Sequence, residues 1–192
     1  MDLILASTSP YRRALLQRLQ TPFQCIAPDA AETPLPGEAG EALATRLALA
    51  KARSVARDHP ASLVIGSDQV ASLAGRLLGK PGNLDTARQQ LLASAGRAVE
   101  FFTGVALCCE ETGFEAVLVA PFTVHFRALD RAVIDNYLAR EQPFDCAGSF
   151  KCEGLGIALF ERLVGDDPTS LEGLPLIGLT SLLQRAGYPV LA

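Results

Sequence analysis

The chain has 192 residues, 49% of them hydrophobic, and a formal net charge of −4. That length and apolar content suit one domain, residues 1–192, with a proper core and room for two lobes. The acidic balance, with a pI near 5.2, argues against broad binding to nucleic acid or a membrane surface, yet allows a small phosphorylated ligand on a local cluster of cations.

Leu3 to Ala6 is a continuous apolar run, the pattern of a strand covered on both faces. Ser9 is a good N-cap and Pro10 suits the first helical position, so a helix follows, with Ala14, Leu15, Leu16 and Leu19 on its buried side. Ser7, Thr8 and the pair Arg12-Arg13 gather at that helix N-terminus. Cations there oppose the helix dipole unless something negative sits between them, and a phosphate is the simplest candidate. The plainer reading is a pair of solvated surface arginines. Phe23 to Ala27 is a short strand candidate, followed by a stiff, exposed loop, Pro28 to Gly37. A helix is expected from Glu38 to about Asp58, with Leu43, Leu47 and Ala50 on one stripe. Lys51 and Arg53 lie toward its end, where the dipole favours them.

Leu63 to Gly66 reads as a second buried strand ending in Ser67-Asp68-Gln69. Val70 to Leu78 can hold a hairpin around Ala74-Gly75, closing with Gly79-Lys80-Pro81-Gly82, and a helix from Asn83 or Asp85 reaches about Ala95. Ala98 to Glu110 and Ala116 to Arg127 are two long strands joined near Glu111-Thr112-Gly113, an antiparallel hairpin. Asp130 caps a helix, Arg131 to Arg140, with Val133, Ile134, Tyr137 and Leu138 inward. A glycine-rich connection, Ala147 to Gly156, precedes an apolar run, Ile157 to Leu163, and a last helix, Leu174 to Ala186. There is no internal repeat. The chain reads as mixed α/β.

The cysteines are Cys25, Cys108, Cys109, Cys146 and Cys152. An odd number without C-x-x-C speaks against a disulfide framework or a structural zinc site. With no leader pattern and no apolar run of transmembrane length, a cytoplasmic protein without membrane partners is expected.

Four polar clusters stand where strands should end: Ser7 to Arg13, Glu32, Ser67-Asp68-Gln69 and Gly79-Lys80-Pro81, with Lys51 as a fifth member. In open α/β sheets ligands gather at such ends. Asp68 follows an apolar strand directly, where a carboxylate is expensive unless it serves a metal, a cation or a reaction; the alternative is an Asp capping the next turn. Gly79-Lys80 is followed by proline, so no Walker A loop is present. His59, at a helix end, and His125, within an alternating strand, look structural or solvated, which argues against a histidine-based hydrolase. A carboxylate base with a divalent metal and several cations remains, equipment for attack of water on a phosphoanhydride.

Ser7-Thr8-Ser9-Pro10-Tyr11-Arg12-Arg13, Glu32-Thr33-Pro34, Lys51, Gly66-Ser67-Asp68-Gln69-Val70, Gly79-Lys80-Pro81 and Ala147 to Gly154, in this order and spacing, resemble the Maf family of nucleoside triphosphate pyrophosphatases. The nearest branch is the YceF-like one that acts on 7-methyl-GTP. The resemblance runs through Leu174-Pro175-Leu176. It implies the Maf fold, related to inosine triphosphatases: a mixed twisted sheet with flanking helices and a cleft between two lobes. It also implies a divalent metal (Mg, Mn or Co) and a cytoplasmic enzyme releasing pyrophosphate and a nucleoside monophosphate.

In that reading the proton acceptor falls on Asp68 and the specificity positions on Tyr11, Gln69 and Glu153. Ser7, Arg12, Arg13, Lys51 and Lys80 would hold phosphate oxygens, Lys51 and Lys80 also serving catalysis, while Glu32 and Asp68 would bind the metal. The family commonly carries Asp-Glu-Thr or Asp-Glu-Ser where this chain has Ala31-Glu32-Thr33, so this loop brings one carboxylate fewer. Relatives commonly form homodimers, which extends the expectation to this chain. Two alternatives are a pyrophosphatase for dTTP and UTP, against which Glu153 speaks, and a nucleotide-binding cell-division regulator with little turnover.

Overall fold

The sequence expectation ends the second buried strand at Ser67-Asp68-Gln69; in the folded chain that strand runs on. A computed structural model describes residues 1–191. The elements are β1 (Leu3–Ala6), α1 (Pro10–Gln17), β2 (Gln24–Ile26), α2 (Gly40–Ala56), β3 (Leu63–Leu73), β4 (Arg76–Leu78), α3 (Leu84–Ser94), β5 (Ala98–Cys109), β6 (Phe114–Phe126), α4 (Arg131–Glu141), β7 (Phe160–Val164) and α5 (Leu176–Arg185). They build a mixed α/β fold around one seven-stranded sheet in the order β2-β1-β3-β5-β6-β7, with β4 paired to β3. β1 runs parallel to β2 and β3, and all other pairings are antiparallel. Among the described residues no helix is long and apolar enough to cross a membrane.

β3 continues through Asp68 because its polar residues find partners on both faces of the sheet, so nothing stops the ladder. It pairs with β5 from Val64 to Ser72 without a break. On its other edge it pairs with β1 only at Leu63–Ile65 and with β4 only at Ala71–Leu73. Residues 66–70 therefore lack a strand partner on that side, and this gap in the ladder is where the cavity lies. The hairpin to β4 turns at Ala74-Gly75 with positive φ at both residues (49° and 82°), as two-residue hairpin turns of that kind require.

Two glycines bring α2 onto the sheet. A Cβ on Gly66 would come within 2.2 Å of the Ala48 carbonyl oxygen, and one on Gly104 within 2.4 Å of the Ala44 carbonyl oxygen. Helix and sheet backbones thus touch, and the small residues Ala44, Ala48 and Ala52 face the strands fully buried. The buried stripe reads Leu43, Leu47, Lys51 and Val55, so Lys51 takes the inward place expected for Ala50, which is only half-buried. The helix starts later than Glu38, whose carboxylate instead accepts from the Leu35 N–H at 2.9 Å and pairs with Arg46 at 2.7 Å.

Three long strands, β3, β5 and β6, run through the two larger hydrophobic clusters, one in each half of the core, and two smaller clusters lie between α2 and the sheet. One half packs Leu3, Leu5, Leu15 and Leu16 with α5, and Ile65, Val105 and Leu107 belong to it. The other half packs Ala71, Phe101 and Phe122 with α3 and α4. Phe101, Phe126, Phe150 and Phe160 meet edge-to-face there, with centroids 4.8 to 5.6 Å apart. Ala14 and Val133, inward on the sequence pattern, are exposed, and the last helix begins after Pro175 rather than at Leu174.

Candidate active site

A cavity of about 600 Å³ opens at the gap in β3, lined from α1, α2, β3, β4 and the connection between α4 and β7. Successive strand residues point to opposite faces, so Asp68 turns toward α2 while Ser67 and Gln69 turn toward the segment before α5. Asp68 and Gln69 both reach the cavity because no neighbouring strand covers this edge.

Lys51 comes from the buried stripe of α2, pressed against the sheet by Gly66. Its Nζ lies 2.6 Å from Asp68 Oδ1 and 2.6 Å from Glu32 Oε1. The lysine side chain is only 7% exposed, so these two carboxylates are what make its charge tolerable. The hydrogen bond from Lys51 holds the Glu32 carboxyl below its usual range, against the opposing pull of burial, with Lys80 and Arg12 adding to the effect. Arg12 donates from Nε to the Gly173 carbonyl at 2.8 Å. Burial lowers its guanidinium pKa, while Asp68 and Glu32 act to raise it. Arg12, Lys51 and Lys80 thus gather about two carboxylates on the cavity wall. Lys80 follows Gly79, whose carbonyl accepts from Gln90 Nε2 at 3.0 Å; Gln90 Oε1 in turn accepts from the Ser149 hydroxyl at 2.5 Å.

Two carboxylates that already share one cation can share another. Among the described residues no group of three or more His, Cys, Asp or Glu side chains is assembled for a metal. A magnesium-like ion needs no such cage, since it commonly takes one or two carboxylates and fills its shell with water and substrate phosphates. Glu32 and Asp68 fit that role. Ala31 adds no ligand, and its position is exposed.

Tyr11, Asp145, Cys146, Cys152 and Glu153 also line the cavity. The Tyr11 hydroxyl donates to Asp145 Oδ2 at 3.4 Å, and the Lys151 ammonium stands 6.0 Å from the Tyr11 ring centroid. Burial works against the Lys151 charge, but Tyr11 and Asp145 outweigh it and lift its pKa. Burial also pushes the Cys146 and Cys152 thiols up to about 12, so neither is a ready nucleophile. Gln69 has its amide fixed: Nε2 donates to the Ser170 and Leu171 carbonyls at 2.8 and 3.0 Å. Its donors are spent, which leaves Oε1 as its free group.

The structure brings together Tyr11, Arg12, Glu32, Lys51, Asp68, Gln69, Lys80 and Glu153 from the sequence expectation. Arg13 is not among them. It is exposed and lines a separate hollow with Gln17 and Gln24, because adjacent helix residues point about 100° apart. Ser7 is buried, and its Oγ accepts from the Ser9 N–H at 3.1 Å. Sequence reasoning missed Asp145 and the backbone carbonyls of residues 170–173. The run Glu172-Gly173-Leu174-Pro175 signals a turn, and Gly173 has φ 112°, but no pattern shows which side chains its carbonyls will receive.

A family model described as Maf-like protein matches residues 2–186. A protein from Nitrosococcus oceani named 7-methyl-GTP pyrophosphatase is 57% identical, over 98% of this chain and 95% of its own. One of the same name from Polaromonas sp. is 56% identical, over 99% of this chain and 87% of its own. A third, from Pseudomonas fluorescens, is 54% identical over 97% of each. Among solved structures, that of the Staphylococcus aureus Ham1 protein aligns with a TM-score of 0.49 at 13% identity, over 67% of this chain and 73% of that one.

Proposed function

This chain belongs to the Maf family, and on that premise we propose that it hydrolyses 7-methyl-GTP to 7-methyl-GMP and pyrophosphate. The supporting observation is the polarity of the cavity. Arg12, Lys51 and Lys80 gather about Glu32 and Asp68, and Tyr11, Asp145 and Glu153 line the same cavity away from those ion pairs. A 7-methylated guanosine triphosphate has the complementary polarity: an anionic phosphate chain and a base with a fixed positive charge. Guanine lacks that charge.

Arg12, Lys51 and Lys80 neutralise phosphate oxygens and the charge that develops as the α–β bond breaks. Lys51 engages Asp68 at Oδ1, leaving Oδ2 to take the proton of the attacking water. Glu32 and Asp68 would hold a divalent metal (Mg, Mn or Co), which supplies further charge neutralisation when bound. Tyr11 offers its ring to the cationic base and Glu153 its carboxylate. Gln69 Oε1 accepts from the N–H edge of guanine, a pairing that a base presenting an acceptor there cannot make.

Pyrophosphate release by the purified protein tests the reading. Wild type should turn over 7-methyl-GTP in preference to GTP. Asp68→Asn should lower kcat by about 10²–10⁴-fold, the usual worth of a general base, while nucleotide binding persists. Normal turnover by that variant would remove Asp68 from the mechanism.

A further inference from the structure

Asp145 is a carboxylate on the wall of the cavity that, among the described residues, has no cation within 4.0 Å. Its Oδ2 accepts from the Tyr11 hydroxyl at 3.4 Å and its Oδ1 from the Cys146 thiol at 3.5 Å. Glu153 is held alike, accepting from the Cys152 thiol at 3.5 Å. The donors are neutral and the contacts long. Among the described residues neither acid takes part in an ion pair within 4.0 Å, whereas Glu32 and Asp68 both do. Two acids thus face one cavity without the direct ion pair that Lys51 gives Glu32 and Asp68, and the Lys151 charge acts on Asp145 only through space.

From this we infer that Asp145 is a second anionic specificity-determining residue, acting beside Glu153 on the positive charge of an N7-methylated base. The inference rests on the proposed substrate. The Asp145 side chain reaches Tyr11 itself, so its charge stands next to the ring on which such a base would lie. Lys151 is the opposing element. Its ammonium, 6.0 Å from the same ring centroid, offsets part of the negative field and so limits the preference. The segment is tied to the phosphate side as well: the Gly82 N–H donates to the Phe144 carbonyl at 2.9 Å, which anchors the residue before Asp145 to the Lys80 loop.

Asp145→Asn is the informative change, because Asn keeps an oxygen for the Tyr11 hydroxyl and loses only the charge. The measurements are kcat/KM and equilibrium Kd for 7-methyl-GTP and GTP, so that binding still reports where turnover is weak. The 7-methyl-GTP over GTP ratio should fall about three- to tenfold, the size of one unit charge several ångströms away in a wet cleft. Lys151→Met should move the same ratio the opposite way; its backbone N–H still has the Tyr137 hydroxyl as partner at 3.1 Å. An unchanged ratio in Asp145→Asn, or a fall in Lys151→Met, overturns the inference. A wild type that prefers 7-methyl-GTP while Asp145→Asn leaves the ratio alone sinks this assignment only. A wild type without any preference, in rate or in Kd, sinks the proposed substrate and this assignment together.

Discussion

Lys51 carries its charge into a site where only 7% of its side chain is exposed, and it does so by contacting Asp68 and Glu32 at 2.6 Å each. A buried ammonium stripped of one partner leaves an uncompensated charge, which is why such a triad is sensitive at each member. Glu32 has the depressed carboxyl, held down first by the Lys51 hydrogen bond. A carboxyl whose folded pKa lies below its unfolded value near 4.5 stabilises the fold above that pH, and the contribution is lost as pH falls through the folded value. Glu32→Gln should therefore melt at a lower temperature than wild type at neutral pH, with the gap closing as pH falls below about 4.5. Melting curves across that range decide it; a gap independent of pH would mean the pairing with Lys51 does not stabilise the fold. The residue types of this triad were legible in the sequence. Which of Arg12 and Arg13 faces the cavity was not, because that depends on the Gly173 carbonyl, 161 positions away, accepting from Arg12.

Helix α2 sits on β3 and β5 through bare backbone at Gly66 and Gly104. Gly104→Ala would press a methyl group against the Ala44 carbonyl, and overpacking of that kind costs about 1–3 kcal/mol. The helix must lift, and Lys51 with it, so stability in urea and kcat should fall together. Full activity in a destabilised Gly104→Ala protein would show that Lys51 does not depend on this seat. From sequence, the β5–β6 hairpin, the caps at Ser9, Asn83 and Asp130 and the turn at Ala74-Gly75 could all be read, since each is a local signal. The continuity of β3 could not. Ser67, Asp68 and Gln69 look like a strand end because their partners, the Gly104 carbonyl, Lys51 and the Ser170 carbonyl, lie on other elements.

β3, β5 and β6 each place residues in both hydrophobic halves, so neither half can lose its strands without unravelling the other. Unfolding should therefore be a single cooperative transition, with the circular dichroism of the helices and tyrosine fluorescence giving the same midpoint. Separate midpoints would show that the halves unfold independently. The sequence allowed room for two lobes, but the sharing of strands between the two hydrophobic clusters emerged only with the register. That sharing has an evolutionary corollary. Lys51 and Asp68 stand on the elements that carry the fold, whereas Asp145, Lys151 and Glu153 stand on one connection between α4 and β7, around a core anchor at Phe150. On the roles proposed above, changes at Lys51 or Asp68 would strike the reaction and the fold together. On the same proposed roles, changes at Asp145 or Glu153, both exposed, would alter the choice of base at little cost to stability, so the base preference of this scaffold can shift while its chemistry is kept.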